Sequence, residues 1–318
     1  MNLPNDADPT PSDDAARAGW LYYVAGMTQD QIARELGVSR QRAQRLVSKA
    51  VADGLIHVRL EHPIAACLDL EQGLTDRFGL TRCRIAPDLG RADPVRTIAP
   101  AAAQELERFL RSPDPLVIAF GTGRALRGMV DALSSLEAPQ HRLVSLIGNI
   151  APDGSASFFD VIMSIGERVR APHYPMPLPV ISSSNAERDA FQALEPIRKV
   201  RALATAADVA FVGVGQMGND APLYADGFVT RDDLTAMQAK GAVGEVAGWV
   251  FDDAGQYLDL NISGRVGGVR IERGQTRPVI GVAAGQTKVR AMRAALEGQI
   301  INGIVTDEAT ARALLSLR

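Results

Sequence analysis

Cysteine is scarce in this 318-residue chain, which contains only Cys67 and Cys83. Neither belongs to a CxxC pair or to a Cys/His spacing typical of zinc, and the four histidines are dispersed. The pattern excludes a disulfide-stabilised scaffold and a clustered zinc site. We therefore predict no metal and no cofactor.

Long hydrophobic runs and a positively charged N-terminus are also missing. No apolar run approaches the roughly 20 residues needed to cross a bilayer. Residues 1–14 contain four aspartates, three prolines and no basic residue, the opposite of a secretory signal. We predict a cytoplasmic protein whose acidic tail, residues 1–14, is disordered because it has too few apolar groups to bury.

Aromatic residues are few, at 5%, and neither sign of charge dominates, since the net charge is −3. This balance argues against a nonspecific polyanion binder. The chain has 46% hydrophobic residues and 29 glycines, which favours a soluble α/β protein. Its length suits one small domain and one of roughly 250 residues.

The stretch 28–59 has the pattern of a helix-turn-helix. Ile32, Ala33 and Leu36 fall on one face of a first helix. Gly37 allows the turn, and Ser39 is a suitable N-cap for a second helix. The second helix is predicted to read DNA.

The orientation of this second helix follows from the helical period. The spacing i, i+3, i+4, i+7 predicts a buried stripe of Ala43, Leu46, Val47 and Ala50. Gln41, Arg45 and Ser48 then point away from the stripe, and Arg and Gln suit base reading because each can form two hydrogen bonds with one base. From the caps, the flanks and this outward face we predict the DNA-binding residues Thr28, Gln29, Ser39, Arg40, Gln41, Arg42, Gln44, Arg45, Ser48 and Lys49.

Charge separates this hypothesis from an ordinary solvated helix face. The stretch 28–59 has six basic and three acidic side chains, a local charge of +3 in a chain whose net charge is −3. A basic patch together with the turn motif favours DNA binding.

The residues after this helix indicate a domain boundary. Asp53-Gly54 predicts a turn, and the alternation over 55–60 predicts a strand, either the wing of a winged helix or a plain strand leading into a linker. His62-Pro63 interrupts the pattern. We predict a helix-turn-helix domain over 15–60 and a larger effector domain over 61–318.

The larger domain repeats one sequence pattern, an apolar run followed by glycine. The runs lie at 116–120, 143–147, 208–212 and 279–283, and a last strand at 303–306 precedes a helix that Thr306 would cap. Apolar runs without alternation are typical of parallel strands covered on both faces. An open α/β sheet is predicted, with ligands at the carboxyl ends of its strands.

Two of these turns suit an anion. Gly121-Thr122-Gly123-Arg124 offers backbone amides, a helix N-terminus, a hydroxyl and a guanidinium. It is not a dinucleotide fingerprint, because Leu126 replaces the third glycine, and no Gly-Lys-Ser/Thr makes it a Walker loop. Lys288, in the first turn of a later helix, favours an anion nearby. The alternatives are a merely tight turn and a solvated lysine.

Six motifs in order resemble the SorC family of sugar-responsive bacterial transcription regulators. They are TQxxIAxxLGVSR from Thr28, GTGR from Gly121, DVAFVGVG from Asp208, GEV from Gly244 with Phe251-Asp252 and Gly255, VAAGxxK from Val282, and VTDExxAxxLL from Val305. Together they span nearly the whole chain.

The resemblance implies an effector domain similar in fold to ribose-phosphate isomerases and glucosamine-phosphate deaminases. It implies a sugar, polyol or sugar phosphate effector and a homo-oligomer, a dimer or a tetramer. The implied effector-binding residues are Gly121, Thr122, Gly123, Arg124, Asn149, Gly213, Gly215, Glu245, Asp252 and Lys288. Ala125 departs from the family, whose members often have a hydroxyl residue after the loop arginine, and leaves room for an unphosphorylated ligand.

The competing class is a sugar-phosphate isomerase or deaminase. Such an enzyme needs a positioned carboxylate or histidine near the substrate carbonyl. Asp220 and Asp226 are candidates, but the loop at 218–220 lacks the histidine of the deaminases. A constitutive DNA-organising protein would not need so large a second domain. We therefore predict a transcription regulator of carbohydrate or polyol catabolism, without catalytic residues.

Overall fold

The computed structural model describes residues 11–56, 65–88, 93–156 and 160–316. The chain divides into two compact units, Met1–His62 and Pro63–Arg318. In the described ranges, no helix has the length and apolar character needed to span a membrane.

Within residues 11–56, the smaller unit contains three helices, α1 (Pro11–Tyr23), α2 (Gln29–Glu35) and α3 (Arg40–Ala52). Their shared core is made of small and branched side chains, including Ala15, Ala18, Ile32 and Leu46. α1 approaches α3 closely at Gly19, where a Cβ would lie 2.8 Å from the Cβ of Ala50. These contacts hold the helix-turn-helix on α1.

The start of α1 corrects one prediction. Residues Pro11–Asp14 are helical rather than part of a disordered tail. Asp13 and Asp14 lie in the first turn, where negative charge stabilises a helix, and the next residue, Ala15, is fully buried. Residues 1–10 lie outside the described residues.

The predicted wing falls largely outside the described residues, since 57–64 are among those not described. The turn before it is present, with Gly54 at φ 68°. Leu55 and Ile56 are not in a strand, and their amides donate to the carbonyl of Ala50 at 2.8 and 3.2 Å. The wing therefore stays a prediction.

The larger unit alternates helices and strands. In chain order these are α4 (Ala65–Phe78), β1 (Arg82–Ala86), α5 (Pro94–Leu110), β2 (Val117–Phe120), α6 (Arg124–Asp131), β3 (Arg142–Ser145), α7 (Ile162–Val169), β4 (His173–Tyr174), α8 (Asn185–Ala193), α9 (Glu195–Thr205), β5 (Val209–Gly213), β6 (Gly215–Gln216), α10 (Pro222–Ala225), α11 (Arg231–Ala239), β7 (Gly244–Val246), β8 (Trp249–Phe251), β9 (Val279–Val282), α12 (Val289–Glu297), β10 (Gly303–Asp307) and α13 (Glu308–Ser316). Two 3-10 turns span Ser263–Arg265 and Gln286–Lys288.

Seven strands form one parallel sheet in the order β1-β10-β9-β5-β2-β3-β4. An apolar core covers each face, as the unbroken apolar runs predicted. The predicted parallel α/β architecture is confirmed. The chain moves outward from β2 to β3 and β4, then returns to the other side of β2 at β5, so the order reverses between β2 and β5. Such a reversal opens a crevice at the carboxyl ends of the strands.

A second, antiparallel sheet follows β5, in the order β6-β7-β8. Together with α10 and α11 it forms a segment that we call the cap, residues 215–251. The cap has its own small core, which includes Met217, Leu223, Leu234 and Met237.

The start of α13 corrects a second prediction. Its first turn is capped by Asp307, whose Oδ1 accepts a hydrogen bond from the Thr310 amide at 2.8 Å. Thr306, the predicted cap, is instead a fully buried residue of β10. The strand extends one residue further than the apolar run indicated.

Candidate functional site

The two helices of the helix-turn-helix begin at the predicted caps. Thr28 and Gln31 form a reciprocal capping box at α2, in which the Thr28 amide donates to Gln31 Oε1 at 2.8 Å. Ser39 Oγ accepts from the Arg42 amide at 3.2 Å and caps α3. These caps satisfy amides that would otherwise lack partners and fix where each helix starts.

The predicted orientation of α3 is confirmed. Its buried residues are Ala43, Leu46, Val47 and Ala50. Gln41, Arg45 and Ser48 are exposed, and Arg45 Nε donates to the Gln41 carbonyl at 3.4 Å within the same helix. Their side chains are therefore presented to solvent along one face.

The basic residues flanking that face are held by carboxylates. Lys49 pairs with Asp53 at 2.7 Å, Arg42 with Asp14 at 3.6 Å and Arg40 with Asp30 at 3.5 Å. All three basic side chains remain at least 46% exposed, so the pairs contribute little to stability and leave the charges accessible. Thr28, Gln29 and Gln44 complete the predicted set on the surface of the same unit.

A cleft of about 960 Å³, its open mouth included, lies at the carboxyl ends of β2, β5 and β9. This is the point where the strand order reverses. One wall consists of the loops that follow these strands, with Lys288 from the 3-10 turn before α12. The opposite wall is the cap, which contributes Leu223, Asp226, Phe228 and Glu245.

The loop after β2 leads directly into α6. Gly123 adopts φ 121°, a conformation that favours glycine, and no side chain caps α6 there. Gly123, Arg124 and Ala125 line the cleft, so the start of α6 lies at its wall, where helix N-terminal amides can bind an anion or a hydroxyl oxygen.

Arg124 joins this loop to the cap. Its guanidinium forms a two-pronged ion pair with Asp226, with Nη2–Oδ1 at 2.6 Å and Nη1–Oδ2 at 3.2 Å. The Arg124 side chain is 51% exposed, whereas that of Asp226 is 19% exposed. The pair therefore links the strand-end wall of the cleft to the cap wall.

A second acid and base lie deeper in the cleft. Glu245 Oε2 accepts from the Gly248 amide at 2.8 Å, and Lys288 Nζ donates to the Val214 carbonyl at 2.6 Å. Burial raises the pKa of Glu245, while the Gly248 hydrogen bond and the Lys288 cation act against the rise. Burial lowers the pKa of Lys288, and Glu245 opposes that change. Each group thus helps to keep the other charged.

The lack of a side chain at Gly215 leaves the space that the Glu245 carboxylate occupies. The two residues are directly paired between β6 and β7. A Cβ at Gly215 would lie 2.2 Å from Glu245 Oε1, far inside van der Waals contact. Any larger residue at 215 would displace the carboxylate.

The structure brings most of the predicted effector residues together. The cleft wall contains Thr122, Gly123, Arg124, Gly213, Gly215, Glu245 and Lys288.

Three predicted effector residues do not line the cleft. Gly121 packs beneath the loop, where a Cβ would lie 3.5 Å from Val212 Cα. Asp252 Oδ1 accepts from the amides of Ala254 and Gln256, at 3.0 and 2.8 Å, and so closes its own turn. The Oδ1 of Asn149 is buried, and its backbone amide donates to the Met176 carbonyl. Seven of the ten predicted effector residues therefore line the cleft and three lie outside its wall, while their role in effector binding stays a prediction.

The apolar part of the cleft wall and the ion pair of Asp226 with Arg124 were not predicted from the sequence. Ile147, Val180, Leu223 and Phe228 line the cleft, and Asp226 had been considered only as a catalytic candidate. Ile147 could have been found, since it ends a predicted strand. Nothing in local spacing indicated that Asp226 faces Arg124.

Two family matches divide the chain between them. The sugar-binding domain family matches residues 62–316, and a MarR-type family matches residues 18–63. The chain is also 34% identical over 302 residues to the erythritol catabolism regulatory protein EryD of Brucella abortus, a match that covers 95% of this chain and 96% of that protein. The chain belongs to the SorC family of sugar-responsive transcription regulators.

Other members agree over nearly full length. The transcriptional regulator LsrR of an Enterobacter strain is 34% identical, with 95% of this chain and 92% of LsrR covered. The full-length sorbitol operon regulator SorC of Klebsiella pneumoniae superposes with a TM-score of 0.71 and 26% identity, over 95% of this chain and 98% of that one. These relatives are named as regulators and not as enzymes, which supports regulation over the isomerase or deaminase alternative.

Proposed function

We propose that a sugar, polyol or sugar phosphate bound in the cleft sets the affinity of the helix-turn-helix for operator DNA, and so controls genes of carbohydrate or polyol catabolism. One observation supports this proposal: the domain that matches the sugar-binding family has, at its strand-order reversal, a cleft whose wall combines two acids and two bases with apolar side chains. Two relatives bear names that refer to polyols, erythritol and sorbitol.

The chemistry of the cleft suits a polyhydroxylated ligand. A hydroxyl group both donates and accepts, so it can bridge a carboxylate such as Glu245 and a cation such as Lys288. The amides at the start of α6 are further donors. Leu223 and Phe228 provide an apolar surface for the carbon chain, as is usual in small-molecule sites.

The exposed face of α3 is the proposed DNA reader. One helix-turn-helix reads only a few base pairs, so specificity requires at least two copies on half-sites about one helical turn, or a multiple of it, apart. We therefore propose a homo-oligomer, a dimer or a tetramer, that acts in the cytoplasm where the chromosome is. The predicted boundaries, 15–60 for the reader and 61–318 for the effector and oligomerisation domain, are proposed here with one change: the reader begins at Pro11 so that it includes all of α1.

The test is an operator titration with and without ligand. A thermal-shift screen of sugars, polyols and their phosphates first identifies a ligand, because specific binding stabilises the native state. An operator sequence for the titration is then obtained by selecting, from a pool of random DNA duplexes, those that the protein binds. Lys288→Ala should then abolish the ligand's effect on DNA affinity while ligand-free affinity stays near that of the parent, since a site that no longer binds cannot couple.

Arg290→Ala is the matched control. Arg290 is a second cation in the same part of the chain, but it pairs with Asp253 at 2.7 Å and does not line the cleft. This variant should keep the full ligand response, which for typical couplings is about 5–150-fold in DNA affinity. An undiminished response in Lys288→Ala would place the effector elsewhere.

A further inference from the structure

The loop after β2 has the backbone of a phosphate site, but its cation already has an anionic partner. Arg124 lies at the first position of α6, beside the uncapped amides. Its guanidinium makes both short contacts to the Asp226 carboxylate, at 2.6 and 3.2 Å. In this two-pronged pair, the guanidinium already donates to the carboxylate the hydrogen bonds that it would otherwise donate to a phosphate.

Asp226 cannot easily give up this partner. Its side chain is only 19% exposed, and it lies just after α10 on the cap wall. Moving Arg124 onto a phosphate would leave a largely buried carboxylate without its counter-ion, which is strongly unfavourable. The same carboxylate would also face the negatively charged phosphate.

The charge inside the cleft is balanced as a whole. Asp226 and Glu245 face Arg124 and Lys288, so the four formal charges among the wall residues cancel. Lys288 is also engaged, since Nζ donates to the Val214 carbonyl. Next to Arg124, Ala125 offers no hydroxyl to a phosphate, and Leu223 and Phe228 add apolar surface. A balanced, partly apolar cleft favours a neutral ligand over a dianion.

From these contacts we infer that Asp226 is the specificity-determining residue that selects uncharged polyols or sugars and rejects their phosphates. The inference rests on the proposed effector site and adds the chemical class of its ligand. Asp226 acts by holding Arg124, and its carboxylate is also an acceptor for a ligand hydroxyl.

The test is calorimetric titration of the full chain with erythritol, sorbitol, their monophosphates and inorganic phosphate. The parent should bind a polyol at least about tenfold tighter than its monophosphate. Asp226→Asn releases Arg124 and removes one negative charge, so the ratio of the two Kd values should shift toward the monophosphate by at least about tenfold, which is about 1.4 kcal/mol. Inorganic phosphate should gain affinity in the same variant.

Two further variants control for folding and for net charge. Asp226→Glu keeps the anion and should retain the preference of the parent. Asp253→Asn makes the same charge change in a pair outside the cleft, with Arg290, and should leave the ratio unchanged. A parent that prefers monophosphates, or a ratio that Asp226→Asn does not move, would overturn the inference.

These outcomes separate the two proposals. If monophosphates bind the parent more tightly than polyols do and Lys288→Ala abolishes their binding, the proposed effector site is supported and the proposed role of Asp226 is refuted. If neither polyols nor phosphates bind the parent, both proposals fall.

Discussion

Replacement of Gly215 by alanine isolates the contact that positions Glu245. Gly215 does not adopt a positive φ, so its backbone conformation is open to alanine. The replacement therefore adds only a methyl group. That methyl group would lie 2.2 Å from Glu245 Oε1 and 2.9 Å from its Cδ and Cγ. The carboxylate must therefore move away from β6.

The size of the effect follows from what the carboxylate loses. We expect the shift of about 1 Å that restores van der Waals contact to carry Oε2 with the rest of the carboxylate and to break its 2.8 Å hydrogen bond from the Gly248 amide. A hydrogen bond to a charged group contributes about 1.5–3 kcal/mol. For a domain of this size each kcal/mol changes Tm by about 2–4 °C, so we expect Tm to fall by roughly 3–12 °C. Effector binding should be lost in the same variant, because the displaced Glu245 carboxylate no longer faces Lys288.

A double-mutant cycle measured by thermal unfolding gives the decisive result. Glu245→Ala removes the atoms with which the new methyl group collides, so Gly215→Ala should cost little in that background. The two changes should be strongly non-additive. An equal loss of Tm from Gly215→Ala in the parent and in Glu245→Ala would show that the clash is not the cause, and would refute the proposed role of Gly215.

Three other predictions test the reader, the buried acid and the assembly. Arg45→Ala should weaken operator binding by about 1–3 kcal/mol and relax one base position, whereas Lys49→Ala should weaken all sequences alike and lower the salt slope by about one; parent-like binding by Arg45→Ala at matched salt contradicts this. The pKa of Glu245 is raised in the folded protein, so the stability that its protonated form contributes is complete below the ordinary pKa of 4.5 and is lost as pH rises through the folded pKa. The Tm of the parent should therefore fall relative to that of Glu245→Gln as pH rises over this window. A Tm difference that does not change with pH would contradict this prediction. Sedimentation should give a mass above that of the monomer, and a monomer with and without DNA would exclude the proposed assembly.

The elements that the sequence predicted well are those whose pattern has one physical cause. Strands covered on both faces need unbroken apolar runs, so β2, β5 and β9 were recognisable. A helix with one buried stripe fixes its own orientation, as α3 does. Glycine turns and Lys288 were expected at the strand ends, because parallel strands place their carboxyl ends at one edge of a sheet.

The cap could not be predicted in the same way. Its strands β6, β7 and β8 have only two or three residues each, too few for a periodic pattern. Arg124 and Asp226 are 102 residues apart, so only the fold shows that they meet. Asp252 has the composition of a ligand-binding loop, but a short carboxylate in such a loop also competes for its own backbone amides, and here it does so.

The separate core of the cap has a consequence for how ligand preference changes. Leu223, Asp226 and Phe228 come from one short continuous segment, which packs on cap residues such as Met217 and Leu234. The strand-end loops and Lys288 come from the large sheet. We therefore expect that transplanting residues 222–228 between related regulators would transfer ligand preference while the large sheet stays unchanged.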